Sequence, residues 1–522
     1  MPDLTLRTLK ELFYEFPGEV MGDAVQDDTL ITGIVYDSRA AKTGSLFVAL
    51  TGSNTDGHKY IPAAIEKGAA AVVGSQKMES LPVPYLRVKD TRFALAHLSA
   101  AFYRHPARQM TVVGITGTDG KTTTTNLLFN ILLSAGLQAG MISTVNAVIG
   151  DEVIDTGFHV TTPEAPEVQH YLARMRAAGL THVVLETTSH GLAQDRVTGC
   201  EFDIGVVTNI THEHLDYHGS YEAYRKAKGR LFAGLVQTMT KPGGNPRLAV
   251  LNLDDQSYSY LDGLVSGSKI TYSIENPAAD VYAEQISHSP SGLTFTARLG
   301  TRGFPVHSQM IGKHNISNCL AAIGAAHFGL NLPEGALQHG IESLQSVPGR
   351  MELVDCGQDF TAIVDFAHTP NALRRALEAA RGLTAGRVLV VYGSAGLRDR
   401  QKRRMMPEIS LRLADVSFLT AEDPRSESLT DILAEMSTAA RQAGGVEGKT
   451  FICVPDRGEA IRSAVRAARA GDVVIACGKG HEQSMCFGDI EFPWDDRTAM
   501  RSALAELLGR PGPQMPYLPT QG

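Results

Sequence analysis

Residues 111–136 read TVVGITGTDGKTTTTNLLFNILLSAG. The β-rich run at 111–117 predicts a buried strand, the glycines after it a tight turn, and the spacing of Leu128, Ile131 and Leu132 one face of a helix that Gly136 stops. Glycines let backbone N–H groups close around phosphate oxygens, and a helix N-terminus adds positive potential. In the loop Gly117-Thr118-Asp119-Gly120-Lys121-Thr122-Thr123, Lys121 is placed to neutralise β- and γ-phosphates and the Thr122 hydroxyl to ligate Mg²⁺. The spacing departs from strict G-x-x-x-x-G-K-[ST], because five residues, not four, separate Gly114 from Gly120. A Gly-rich turn carrying an exposed lysine is the plain alternative. The order strand, loop, helix favours phosphate.

Around this unit, short β-rich runs alternate with alanine-rich helical stretches, the signature of α/β domains with largely parallel sheets. A chain of 522 residues is too long for one core. A first segment with GIVYDSR, SLFVALTG and AAAVVGS ends near Pro106, after the helical ALAHLSAAFYRH. The central block holds the phosphate loop, HVVLE (182–186), DIGVVTNI (203–210) and RLAVLNLD (247–254), and closes with a helix around Asn318–Phe328 and IESLQS. SVPGRMELV, with Pro348 and Gly349, reads as a junction. A third block opens with TAIVDFAH (361–368) and continues through RVLVVYGSAG, ADVSFLTAEDPR and DVVIACGKGHE, buried-type strands whose C-terminal ends are where open α/β sheets bind ligands. The expected domains are therefore 1–107, 108–346 and 347–522, and the tail from Pro511 is expected to fray.

Hydrophobic residues make up 43% and charged residues 20%, which excludes disordered, fibrous and collagen-like chains. With 48 Lys+Arg against 56 Asp+Glu the net charge is −8, which argues against nucleic-acid or anionic-membrane partners. The six scattered cysteines form no C-x-x-C pair and read as reduced, buried thiols of a cytoplasmic protein. The N-terminus has no apolar signal-peptide core, and no apolar run reaches the ~20 residues that membrane insertion requires.

Three further features carry chemistry. Glu186 ends the strand HVVLE at the sheet edge where a Mg²⁺-bound nucleotide would sit, although a capping role serves equally. His212, His214, Asp216 and His218 crowd TNITHEHLDYHG; their i, i+2 spacing and the lack of a cysteine disfavour zinc and leave one Mg²⁺-ligating His or solvent-facing turn residues. In YEAYRKAKGRLF, Tyr221, Tyr224, Lys228 and Leu231 follow i, i+3, i+7, i+10, so Lys228 falls on the apolar face. A lysine drawn out of water loses its charge preference and becomes a nucleophilic amine able to add CO₂ as a carbamate. Snorkelling to solvent is the other reading.

The series GTDGKTT, LETTSHGL, TNITHEHLDYHG, AKGRLF, GKHNISN, VPGRME, VDFAHTP and GKGHE resembles the Mur ligase family of ATP-dependent amino-acid ligases, over Asp37 to Arg497. DSR and LFVALTG near the start, TTP at 161–163 and EDPR near the end most resemble its MurE, or tripeptide-synthetase, branch. The resemblance implies three α/β domains: an N-terminal UDP-binding domain, a central P-loop ATPase with a parallel sheet, and a dinucleotide-fold-like C-terminal domain. It implies that Ser38 and Ser53-Asn54-Thr55 hold uridine, and that Thr161, Thr162, Thr188, Gln194 and Arg196 hold the diphosphate and muramoyl peptide. Gly117 to Thr123 would bind ATP with Asn315, Asn318 and Arg350. Thr122 and Glu186 would hold one Mg²⁺, His214 a second, and Lys228 matches the family's carbamylated lysine. Arg398, the segment Glu422-Asp423-Pro424-Arg425, Gly478 and Glu482 match the incoming amino acid's site.

The implied reaction joins a diamino acid to the D-Glu γ-carboxylate of UDP-N-acetylmuramoyl-L-Ala-D-Glu through an acyl phosphate, in a cytoplasmic monomer. Lys121, Lys228, Glu186 and His214 would be catalytic, and His368 either assists proton transfer or is structural. Family members that add meso-diaminopimelate typically carry D-N-P-R, whose arginine pairs with the distal carboxylate. Arg425 therefore favours diaminopimelate, while Asp423, if it neutralises Arg425, favours L-lysine or L-ornithine. A folylpolyglutamate-synthetase-like ligase is disfavoured by the ~100 residues before the phosphate loop. A P-loop ATPase or kinase would not respond to an added amino acid.

Overall fold

The computed structural model describes residues 6–21, 27–52, 55–154, 162–211, 215–289 and 292–520. Three α/β sheets follow one another along the chain. The first has the order Val20–Met21, Tyr85–Val88, Ala69–Gly74, Ser45–Val48, Gly33–Val35, parallel except at the short first strand.

The central sheet has eleven strands. Its middle is parallel and runs Ala139–Ile142, His182–Glu186, Thr111–Thr116, Ile204–Val207, Leu248–Asn252, Ser268–Ser273, with antiparallel strands added at both edges. The strand entering the phosphate loop thus lies between the strand ending in Glu186 and the strand running into Asn209. These strands are buried on both faces, which explains their unbroken Val/Ile/Leu runs. The helix Lys121–Ser134 packs Leu127, Leu128, Ile131 and Leu132 into the core on one side of the sheet.

The third sheet runs Glu352–Leu353, Thr361–Asp365, Val473–Cys477, Val388–Tyr392, Val416–Leu419, Phe451–Cys453, parallel after its first strand. Among the described residues no helix is long and apolar enough to cross a membrane.

Several expectations need correction. The tail does not fray: Met515 and Leu518 are buried in the third core and Thr520 hydrogen-bonds Asp456 at 2.7 Å. Its apolar residues are spaced among prolines, so composition hid the anchors. The helix expected around Asn318–Phe328 starts earlier, at His314, and ends at Gly324 in a single π-helical turn. Of the six thiols only Cys200, Cys319 and Cys477 are buried.

Candidate active site

The phosphate loop is tied to the end of the neighbouring strand. Thr118 N donates to the Asn209 carbonyl (2.7 Å), Asp119 N to Asn209 Oδ1 (3.1 Å), and Asn209 Nδ2 and Thr208 Oγ1 both donate to the Asp119 carbonyl (3.0 and 2.6 Å). Gly117 (φ +154°) and Gly120 (φ +85°) are required by this closeness: a Cβ would lie 1.8 Å from Thr208 Oγ1 and 2.3 Å from Asn318 Oδ1, respectively. Lys121 Nζ folds onto the Thr118 carbonyl at 2.8 Å. Thr123 is buried in the first helical turn. Thr122 Oγ1 donates to Glu186 Oε2 (3.0 Å), which also accepts from Thr144 N (3.0 Å), while Arg350 Nη2 reaches Thr122 Oγ1 (3.2 Å). Asn318 Nδ2 donates to Asn315 Oδ1 at 2.8 Å beside the loop.

Lys228 lies under this loop. It is 1% exposed on the buried face shared with Tyr224 and Leu231, its Nζ donates to the Gly117 carbonyl (2.6 Å), and it sits 4.7 Å above the Tyr224 ring. The side chain therefore turns inward, not out to solvent. Tyr224 Oη is 3.0 Å from Thr118 Oγ1, so helix Tyr221–Gly234 braces the loop at two points. His214 lies outside the described residues, as does His212. Among the described residues no cluster of three His, Cys, Asp or Glu side chains is arranged to hold a metal.

At the seam between the first and central sheets, Thr162 Oγ1 and Thr188 Oγ1 are 3.1 Å apart, Arg196 donates to the Thr162 carbonyl (2.8 Å) and to Gln194 Oε1, and Arg196 pairs with Glu164 at 2.8 Å. With Glu164, these five residues form one network. Ser53, Asn54 and Thr161 lie outside the described residues. Ser38 opens a short turn capped by Asp37, and Thr55 is exposed; neither lines the main cavity.

That cavity, about 1140 Å³, joins the loop to the third domain. Arg398, Glu422, Asp423, Arg425, Gly478, Glu482 and His368 line it with Lys121, Thr122 and Glu186. Pro424 supports from behind, its carbonyl 1.9 Å from where a Gly396 Cβ would be. His368 Nδ1 is 2.9 Å from the Phe366 carbonyl. Burial pushes the Glu422 carboxyl up to about 7, helped by Asp423 and opposed by Arg457.

The sequence left open whether Asp423 neutralises Arg425, and the structure gives Asp423 another cation. Asp423 is held by Lys479, fully buried, whose Nζ lies 3.0 and 2.9 Å from its two oxygens, and by Cys486 N at 2.9 Å. Arg425 donates to the Gly396 carbonyl at 3.3 Å. Asp423 (φ +41°) and Arg425 (φ +53°) are both left-handed, and that backbone turn sends neighbouring side chains in different directions.

Sequence reasoning missed several residues in and beside the cavity. Asn371 Nδ2 donates to Asp119 Oδ2 (2.9 Å) and Arg375 stands 3.6 Å from it, so helix Pro370–Gly382 of the third domain touches the phosphate loop. Arg350, already suggested by the sequence, stacks 4.3 Å above Phe366, and half-buried Asp365 accepts from Met351 N and Ala367 N. Asp365 was legible as a strand-end carboxylate, and Lys479 as the lysine of GKGHE. Nothing local announced Asn371 or Arg375.

A phosphate loop that faces, across a domain seam, a charged pocket on a separate α/β domain defines an enzyme bringing a nucleotide phosphate against a second bound substrate. The chain matches the Mur ligase family catalytic domain over residues 30–103, the Mur ligase middle domain over 115–326 and the Mur ligase glutamate ligase domain over 349–480. It is 45% identical over 489 residues to a UDP-N-acetylmuramyl-tripeptide synthetase of Roseiflexus sp., covering 91% of this chain and 95% of that one. It is 41% identical over 484 residues to the UDP-N-acetylmuramoyl-L-alanyl-D-glutamate–2,6-diaminopimelate ligase of Bacillus licheniformis, covering 93% and 96%. A solved structure of a ligase of that latter name superposes with a TM-score of 0.66 at 29% identity over 96% of this chain and 99% of the other. The chain belongs to the Mur ligase family and is an ATP-dependent ligase of peptidoglycan precursor synthesis.

Proposed function

We propose that this ligase adds meso-diaminopimelate to the D-Glu γ-carboxylate of UDP-N-acetylmuramoyl-L-Ala-D-Glu. The observation that carries the choice of amino acid is the Asp423–Lys479 pair, which leaves the Arg425 guanidinium to face a substrate carboxylate. Residues 1–107, 108–346 and 347–522 act as the UDP-sugar, ATP and amino-acid domains of a cytoplasmic monomer. The Thr162–Thr188–Gln194–Arg196 network holds the muramoyl end, with Ser38 and the loop of Ser53, Asn54 and Thr55 at the uridine.

The γ-carboxylate attacks the ATP γ-phosphate, ADP leaves, and an acyl phosphate results. Two anions must meet, so positive charge aimed at the transferring group lowers the barrier. Lys121 supplies it once nucleotide draws its ammonium off the Thr118 carbonyl, and Arg350 adds a second cation beside Thr122. The adjacent hydroxyl of Thr122 and carboxylate of Glu186 are hard oxygen donors that fit Mg²⁺, which when bound would neutralise phosphate charge. His214 is the proposed ligand of a second ion. Lys228, sequestered against Gly117, fits a carbamate, an anion on the underside of the same loop.

The test is phosphate release from ATP with UDP-N-acetylmuramoyl-L-Ala-D-Glu and a panel of diamino acids. The expected result is release that requires both substrates and is fastest with meso-diaminopimelate. Phosphate transfer indifferent to any amino acid would indicate a kinase or simple ATPase.

A further inference from the structure

Asp119 is an anion in a loop built to hold anions. Among the described residues, the cation within ion-pair distance of it comes from the third domain: Arg375, whose Nη1 lies 3.6 Å from Asp119 Oδ2. Asn371, four residues earlier in helix Pro370–Gly382, shares that helix face and gives its Nδ2 to the same oxygen at 2.9 Å. The start of the helix is fixed by Pro370 and by the Thr369 hydroxyl, which accepts from Ala372 N at 3.2 Å. The third domain therefore presents one neutral donor and one cation to the phosphate loop from a single rigid element.

The two contacts differ in kind. The Asn371 contact is a formed hydrogen bond. The Arg375 contact is a longer ion pair, and among the described residues its guanidinium donates no hydrogen bond. Arg381, later in the same helix, shows the opposite case: its N–H groups are spent on the Gly386 and Leu413 carbonyls and on Asp415. A guanidinium carries five N–H donors in a planar fork that fits phosphate as well as carboxylate. The Arg375 side chain is 32% exposed and lines the same cavity as Gly120, Lys121 and Thr122, so a ligand phosphate on the loop has access to it. Asp119, left alone beside a polyphosphate, would repel it across a cavity that screens charge poorly. A cation standing between the two anions removes that repulsion.

We propose that Arg375 binds a phosphate oxygen of the nucleotide directly, turning from Asp119 to lie between the carboxylate and the phosphate while Asn371 keeps the helix on the loop. The proposal rests on the phosphate-loop reading above. The third domain then supplies a cation to a nucleotide held by the central domain, beside Asp119 as Arg350 does beside Thr122. The alternative role for Arg375 is to neutralise Asp119 without touching the ligand.

The two roles separate when Asp119 loses its charge. Binding of ATP and of adenosine is measured by calorimetry, with Mg²⁺ present, on the full-length wild type, Arg375→Ala, Asp119→Asn and the double variant. An asparagine at 119 keeps an oxygen for the Asn371 donor, so the helix stays docked. Arg375→Ala is expected to weaken ATP binding at least ~10-fold, the loss of one hydrogen-bonded charge contact, both in the wild type and in the Asp119→Asn background. Adenosine, which has no phosphate, is expected to stay within ~2-fold throughout. A loss that vanishes in the Asp119→Asn background would overturn the proposal, because Arg375 would then act only on Asp119. Unchanged ATP binding in Arg375→Ala, or an equal loss for adenosine, would overturn it as well. Undiminished ATP binding in Lys121→Ala would overturn the phosphate-loop reading instead.

Discussion

Replacing Arg425 by alanine is expected to lower kcat/KM for meso-diaminopimelate by ~30- to 100-fold and to leave L-lysine within ~3-fold. The magnitude follows from how the pocket spends its charges. Lys479 lies within 3.0 Å of both Asp423 oxygens and 2.5 Å from Glu482, so one buried ammonium serves two carboxylates. Arg425 gives one N–H to the Gly396 carbonyl at 3.3 Å, a weak bond, and keeps its charge for a ligand. Hydrogen bonds to charged groups contribute ~1.5–3 kcal/mol each. A bidentate contact in a cavity open to water falls at the low end, giving ~2–3 kcal/mol net, and ~1.4 kcal/mol is tenfold. Lys479→Met is the complementary perturbation. It leaves Asp423 buried without its cation, at a stability cost of ~3–5 kcal/mol, and Asp423 then either claims Arg425 or repels the substrate carboxylate. Diaminopimelate selectivity is expected to fall in that variant too, with no further fall in the double variant. The assay is steady-state phosphate release with meso-diaminopimelate, L-lysine and L-ornithine. A wild type that prefers lysine or ornithine, with that preference intact in Arg425→Ala, refutes the reasoning.

Lys228→Ala is expected to lose at least ~10²-fold in ligation and to regain part of it with acetate, which resupplies an anion beneath the loop; full activity without acetate would exclude the carbamate. Lys121→Ala is expected to lower turnover by ~10²-fold or more, since it removes charge directed at the transferring phosphoryl group, and an unchanged rate would mean the loop is misassigned. Glu422 has its carboxyl raised to about 7 from an ordinary 4.5, so the folded state holds that proton more tightly than the unfolded chain. Its contribution to stability is present below pH 4.5 and is lost as pH rises toward 7. The thermal midpoint of Glu422→Gln should therefore gain on wild type across that window, and a constant difference would show that Glu422 is not buried as a proton-carrying acid.

The phosphate loop was legible because its chemistry is local: strand, glycines, lysine and helix lie within 26 residues and need no tertiary information. Lys228 was half legible. Helical spacing put it on the apolar face, but only the fold shows that this face lies against the Gly117 carbonyl, 111 residues away. The charge of the Arg425 pocket was left open by the sequence because the partner that Asp423 takes, Lys479, is 56 residues away from it. Asn371 and Asp119 are separated by 252 residues and meet only when two domains dock. The tail was misjudged for a different reason: composition averages over Met515 and Leu518, whereas burial depends on those two side chains alone.

The central claim is that ATP activates the D-Glu γ-carboxylate as an acyl phosphate before the amine attacks. It is tested most directly with UDP-N-acetylmuramoyl-L-Ala-D-Glu carrying ¹⁸O in the γ-carboxylate, incubated with ATP and meso-diaminopimelate, the released phosphate being analysed by mass spectrometry. The account predicts one ¹⁸O in each phosphate released per tripeptide formed, because the carboxylate oxygen that attacks phosphorus leaves with it. Unlabelled phosphate accompanying tripeptide formation would contradict it.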